Sequence, residues 1–388
     1  MNINVVFDVP AKVAQGLLNG SLERVGGVVR DTSSKQVVMW LQEGGSTVSQ
    51  AIAQPPLAGG AGAIGGASLV LNAANLAVTA AGFAVVIQQL NRISDQIKSI
   101  EAKIDRVSDK LDDLALAKLK AGINACQDAV DHTDPAIRVT MAGHAITALH
   151  EARQYFNQQA IRSAGKAEAA SAHYVALAFV ALAAEAQTYV ELDNSPKAAR
   201  VIRQGLEDLR PGLTQLMNAV LDCSCHYLKP DFAGVVELDL ILWLHNGMKR
   251  IQRGPHQPVD AISASDLFEW MRPRITDVFK NYEDWHGQIP QVVVDTSTVP
   301  DWWWGPLPQG VDKTARFKMV KQELPAGLNK MVALVESYDR LTGQVLQLEE
   351  MARLELKPSQ LQQLRSLPQG QAAALVLDPR WMTAEVTA

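Results

Sequence analysis

The sequence predicts a mainly α protein: an elongated helical bundle with one very long coiled-coil-like helix and a small N-terminal β element. Two observations carry that expectation. Apolar residues recur at alternating three- and four-residue steps from Leu90 to Leu114, and Asp, Glu, Lys and Arg are absent from the whole stretch Gly44 to Asn91. In a chain of 388 residues with 20% charged residues, a gap that long is far outside chance.

Residues 1–43 read as the β element. Asn4–Val9, Val28–Arg30 and Gln36–Leu41 are β-rich, and Asp31 to Lys35 supplies turn chemistry between the last two. A sheet this small needs a surface to pack on. Residues 44–120 form the next block. Its first part, through Gly66, is loop-like, with Pro55-Pro56 and clustered glycines. From Ala67 to Leu90 it turns apolar and Ala-rich, with Leu69, Val70, Leu71, Leu76, Val78, Phe83, Val85 and Val86 as the candidate membrane-interacting residues. A helix needs about 20 largely apolar residues to span a bilayer, so this stretch is long enough.

The heptad run follows without a break. Leu90, Ile93, Ile97, Ile100, Ile104, Val107, Leu111 and Leu114 repeat at about 3.5 residues, with Arg92, Asp95, Lys98, Glu101 and Lys103 among the residues between them. Neither Pro nor Gly interrupts Phe83 to Lys120. A single helix from Ala67 to Lys120 would be roughly 80 Å long at 1.5 Å per residue.

Residues 121–255 read as a helical bundle. Asp134-Pro135 starts one helix, because Pro is favoured in the first turn. Ala167–Leu192 is another, with Val175, Ala178, Phe179 and Leu182 on one face; Asn194-Ser195-Pro196 breaks the chain before a helix over Lys197–Leu209. Val235–Ile251 is a further helix. Residues 256–323 hold a helix over Asp266–Phe279, with Ser265 as its expected cap and Pro273 expected to kink or split it, followed by an irregular Trp- and Pro-rich segment. Residues 324–366 form a long amphipathic helix whose stripe runs Leu328, Met331, Val335, Tyr338, Leu341, Val345, Leu348, Met351. Its Val335 and Val345 are expected to pack on the heptad helix, since linkage in one chain raises effective concentration. Residues 367–388 read as a loosely held tail.

The chemistry-bearing motifs are sparse. Gly60-x-Gly62-x-x-Gly65 matches a dinucleotide-binding pattern, but Pro55-Pro56 spoils the strand it requires and the next acid is Asp95, so no cofactor is expected. Cys223-Ser224-Cys225-His226 offers soft ligands but has no second pair, so no metal is expected. His144, His150 and Glu151 lack zincin spacing, and neither an activated nucleophile nor an acid/base pair is visible, so no catalytic residues and no enzymatic activity are expected. Trp302, Trp303 and Trp304 mark a possible interface, either to a membrane or to a protein. The net charge of −5 gives no long-range attraction to nucleic acid. Three cysteines make no disulfide framework, and Met1–Asp8 has neither a basic n-region nor an apolar h-region. A cytoplasmic location is therefore expected.

A charge-free Gly/Ala-rich segment fused to a very long amphipathic helix resembles the organisation of α-helical pore-forming toxins. The resemblance covers Gly44 to about Lys120 and the general helical character. It implies an apolar element buried in the soluble state that swings out to enter a lipid bilayer while the chains self-associate. Acting from the cytoplasm, such a protein would be peripheral to or inserted in the inner membrane on activation, as an intracellular antiviral defence or cell-suicide effector would be. The alternative is a soluble helical scaffold that binds a protein partner through the coiled coil.

Overall fold

A computed structural model describes residues 15–16, 19, 21–25, 28–31, 37–41, 109–227, 235–236, 238–254, 262–280, 289–294, 313–353, 355 and 374–376. The protein is mainly α. Its helices are α1 (Asp109–Asp131), α2 (Pro135–Ala164), α3 (Ser171–Glu191), α4 (Ser195–Leu221), α5 (Ser224–Tyr227), α6 (Leu238–Arg253), α7 (Ala264–Lys280) and α8 (Lys313–Arg353), with a 3₁₀ turn at Gln291–Val293. The chain divides into two compact units, one of residues 62–185 and 204–338, the other of residues 1–61, 186–203 and 339–388.

In the first unit α1 and α2 form an antiparallel hairpin. The reversal is written in three residues: the Asp134 carboxylate accepts from the Ala136 N–H at 2.8 Å, and Pro135 occupies the first turn, where its missing N–H costs nothing. The buried stripe of α1 is Leu116, Leu119, Ile123 and Cys126; that of α2 is Ala142, Ala145, Leu149, Ala152, Phe156 and Ala160. Small residues on α2 let the two backbones approach. Helix α3 has no polar face over most of its length: every residue from Tyr174 to Thr188 is buried, including Val175, Ala178, Phe179 and Leu182. Such a helix sits inside a bundle.

Pro273 was expected to kink or split its helix, and the helix from Lys197 was expected to end at Leu209; the break at Asn194-Ser195-Pro196 is present between α3 and α4. Helix α4 runs on to Leu221 through Pro211, α7 is continuous across Pro273, and α8 begins at Lys313 rather than Leu324 and passes through Pro325. A Pro removes one backbone N–H from a helix, whereas the apolar stripe on each side continues: Leu206, Leu209, Leu213 and Leu216 across Pro211, and Val320, Leu324, Leu328 and Met331 across Pro325. The cap of α7 is Ser263, not Ser265. The Asp266 N–H donates to Ser263 Oγ at 3.2 Å and the Ser263 N–H donates to Asp266 Oδ2 at 2.8 Å, a reciprocal capping box two residues earlier than expected.

Two close approaches seat α8. Val335 lies against Gly247 of α6, where a Cβ would meet Val335 Cγ1 at 2.5 Å. Gly327 faces the carbonyl of Val293, which a Cβ would approach to 2.0 Å. The buried segment Ile289–Val294 that supplies this carbonyl is also tied to the α2–α3 turn, since the Val292 N–H donates to Ala167 O at 3.0 Å. Ala167 holds a left-handed φ of 46° there, strain that the surrounding contacts maintain.

In the second unit the extended segments Leu22–Val25 (β1), Val28–Asp31 (β2), Val37–Leu41 (β3) and Ala374–Val376 (β4) are antiparallel neighbours in that order, with a register shift at Val29/Arg30. Leu375 and Val376 of the tail pair with Trp40 and Met39. Asn194 Oδ1 accepts from the Lys197 N–H at 3.1 Å at the start of α4, and Arg203 forms an ion pair with Glu349 on α8. The expected strand Asn4–Val9 lies outside the described residues.

Candidate functional site

Two polar clusters lie within the helical core. The first is built on Arg153, which α2 carries on its buried face. Arg153 Nε donates to Glu185 Oε2 of α3 at 2.9 Å, and Nη1 donates to Asp208 Oδ2 of α4 at 3.1 Å. His150, one turn back on α2, places Nδ1 3.1 Å from Arg153 Nη2 and 3.2 Å from Glu185 Oε1. In any one tautomer that nitrogen accepts from Arg153 or donates to Glu185, not both. Glu185 is the sole charged residue between Ser171 and Val190, so the otherwise apolar α3 is held in register by one carboxylate. Gln204 Nε2 donates to the remaining Asp208 oxygen at 2.9 Å.

The second cluster joins α5, α6 and α7. Ser224 Oγ, fully buried, lies 3.2 Å from His245 Nε2. The His245 ring meets Trp270 edge-on at 4.8 Å, and the Arg274 guanidinium stacks 3.8 Å from the Trp270 ring centroid. A buried Ser–His contact invites a reading as a nucleophile and base. The protons argue against it. The Ser224 hydroxyl donates to Leu221 O, which leaves its oxygen as the acceptor of the His245 Nε2 proton. The imidazole therefore donates to the serine instead of drawing a proton from it, the reverse of what general-base activation needs. Burial, with Arg274 nearby, pushes the His245 pKa down to about 4.

The cysteines beside it are not activated. Burial, the Asp222 carboxylate and Cys225 push the Cys223 thiol up to about 11, and burial also raises Cys225, whose Sγ lies 3.7 Å from Met271 O. Thiols in that state are poor nucleophiles and poor metal ligands. Among the described residues no group of three or more His, Cys, Asp and Glu side chains is placed to hold a metal ion.

Of the residues singled out by sequence, most fall outside the described ones: Leu69, Val70, Leu71, Leu76, Val78, Phe83, Val85 and Val86 of the apolar segment, Leu90 to Val107 of the heptad run, and Trp302, Trp303 and Trp304. Leu111 and Leu114 lie on α1. Leu114 is 55% exposed. The buried stripe of α1, Leu116–Leu119–Ile123–Cys126, keeps the alternating spacing but is displaced by two residues, so at Leu114 the heptad seam and the seam against α2 point in different directions. The described contact of Val335 is with Gly247 of α6; its expected pairing with the heptad helix lies outside the described residues.

Neither core cluster was anticipated from sequence. A signal for the first existed: a lone Glu in an Ala-rich apolar helix calls for a buried cation. The Ser224–His245 contact had none, because residues on separate helices meet only through the tertiary fold. Comparison of the chain with protein-family models, characterised proteins and solved structures finds no match.

Proposed function

We propose that this is a membrane-active, non-enzymatic helical protein in which the charge-free segment Gly44–Asn91 is the element that meets lipid. The observation that carries the reading is the absence of Asp, Glu, Lys and Arg from the loop Gly44–Gly66 as well as from the apolar stretch beyond it. A solvent-facing connection has no need to exclude charge, whereas a segment that lies on or enters a bilayer does. Ala67–Leu90 is apolar and long enough to span a bilayer. The finer architecture belongs to the same reading: a small N-terminal β element, and a long coiled-coil-like helix that joins Ala67–Leu90 to α1. The cytoplasm facing an inner membrane is the proposed site of action, with self-association on insertion.

One observation favours a second reading, a soluble scaffold that binds a protein partner through the heptad face. Leu114 closes the heptad run and is exposed, while α1 turns a different stripe towards α2. Vesicle co-sedimentation and dye release separate the two. Wild type binds and permeabilises vesicles in the first case only. Ala77→Asp abolishes both effects, because a charge at the centre of a membrane helix costs about 2.5–3.5 kcal/mol on the insertion scale.

A further inference from the structure

The α5–α7 corner contains a buried imidazole, that of His245. His245 is 4% exposed, and among the described residues no carboxylate pairs with it. Its neighbours are a hydroxyl already committed to Leu221 O and an indole whose ring is stacked on a guanidinium. We propose that this corner is an acid-sensitive catch, closed by neutral His245 seated between Ser224 and Trp270 and opened when a proton is added to that imidazole.

Each facing element contributes to the bias. From α5 and the turn before it come the Cys223 and Cys225 thiols and the phenol of Tyr227, all of which burial keeps protonated. From α7 comes Arg274, whose partner Asp222 stands 4.0 Å away and is largely solvated. Lys249 follows one turn along α6, and α8 meets α6 at Gly247 through the apolar Val335, with Glu336 next along that helix. A second positive charge placed here meets Arg274, whose partner Asp222 is largely solvated, and Trp270 then faces two cations.

The sign follows from linkage. With His245 at about 4 in the folded chain and its ordinary value of 6.5 in the unfolded chain, the unfolded chain takes up a proton that the folded chain refuses. The stability is fully present above pH 6.5 and is lost progressively as the pH falls towards 4. The catch stands on α5, α6 and α7 alone and is independent of any membrane activity.

The test is urea unfolding of the full chain at pH 7 and pH 4.5, comparing wild type with His245→Gln. The unfolding constant of wild type should rise roughly fiftyfold more than that of the variant over this interval. Parallel losses in the two proteins overturn the proposal. A second measurement does not depend on the variant folding. The histidine C2–H resonances of wild type and Arg274→Met are followed by NMR against pH. One imidazole should titrate near pH 4 in wild type and move upward when the Arg274 charge is removed. If all eight histidines titrate near 6.5, the catch does not exist.

Discussion

Arg153 and Glu185 meet at 2.9 Å inside the helical core, each with a side chain only 4% exposed, and Asp208 completes the guanidinium's partners from a third helix. Removing one member of such a pair leaves an uncompensated buried charge, whereas replacing both by apolar groups of similar volume does not.

Arg153→Ala should therefore destabilise the protein by about 3–5 kcal/mol, while Arg153→Met combined with Glu185→Leu should recover most of that loss. Urea denaturation of the three proteins checks this. A single variant that unfolds with wild type would show that the pair is not buried as described.

Gly327→Ala should be costly because its methyl would stand 2.0 Å from the carbonyl of Val293, a backbone atom that cannot rotate away. A loss of roughly 1–3 kcal/mol is expected, the usual range for overpacking. Gly143→Ala is the control: on α2 its Cβ meets nothing within 4 Å, so thermal melting should show no loss and up to about 1 kcal/mol of gain from helix propensity.

The cap of α7 gives a paired test. Ser263→Ala should cost about 1 kcal/mol, and Ser265→Ala much less, by thermal melting at pH 7. The pH dependence has a definite sign. The Ser263 N–H, and next its hydroxyl, hold the Asp266 carboxyl below the usual range, so this contribution is present at neutral pH and is lost as the pH falls through the folded-state value. Ser263→Ala should reduce that acid sensitivity.

Cys223 should resist alkylation in the folded protein at pH 7, since burial and Asp222 keep it a thiol. Iodoacetamide labelling with mass spectrometry should modify this residue only on unfolding in urea. Rapid labelling in native buffer would contradict the geometry of the α5 corner.

What could be read in the sequence was what local chemistry determines. The Asp134-Pro135 start of α2 was legible because cap and first-turn proline lie side by side. The α8 stripe from Leu328 to Met351 was legible because amphipathic spacing survives without tertiary context, and all of its named residues are buried. Proline misled at Pro273, across which α7 runs on as one helix. Ser265 was taken for the cap because it stands beside Asp266, yet the reciprocal bond needs three-residue spacing, which Ser263 supplies. The polar core was illegible at Ser224, His245 and Trp270, which approach one another only once α5, α6 and α7 are packed.

Whether the charge-free segment meets lipid is decided by a vesicle assay of the full chain with and without Ala61→Asp. Ala61 lies in a Gly-rich stretch of the sequence, where a carboxylate should leave the melting curve unchanged. Wild type should co-sediment with anionic vesicles and release trapped dye, and Ala61→Asp should weaken both effects while folding as wild type does. A wild-type protein that neither binds nor permeabilises anionic or neutral vesicles at any pH from 7 to 4.5 would contradict the membrane reading and leave the heptad-face scaffold in its place.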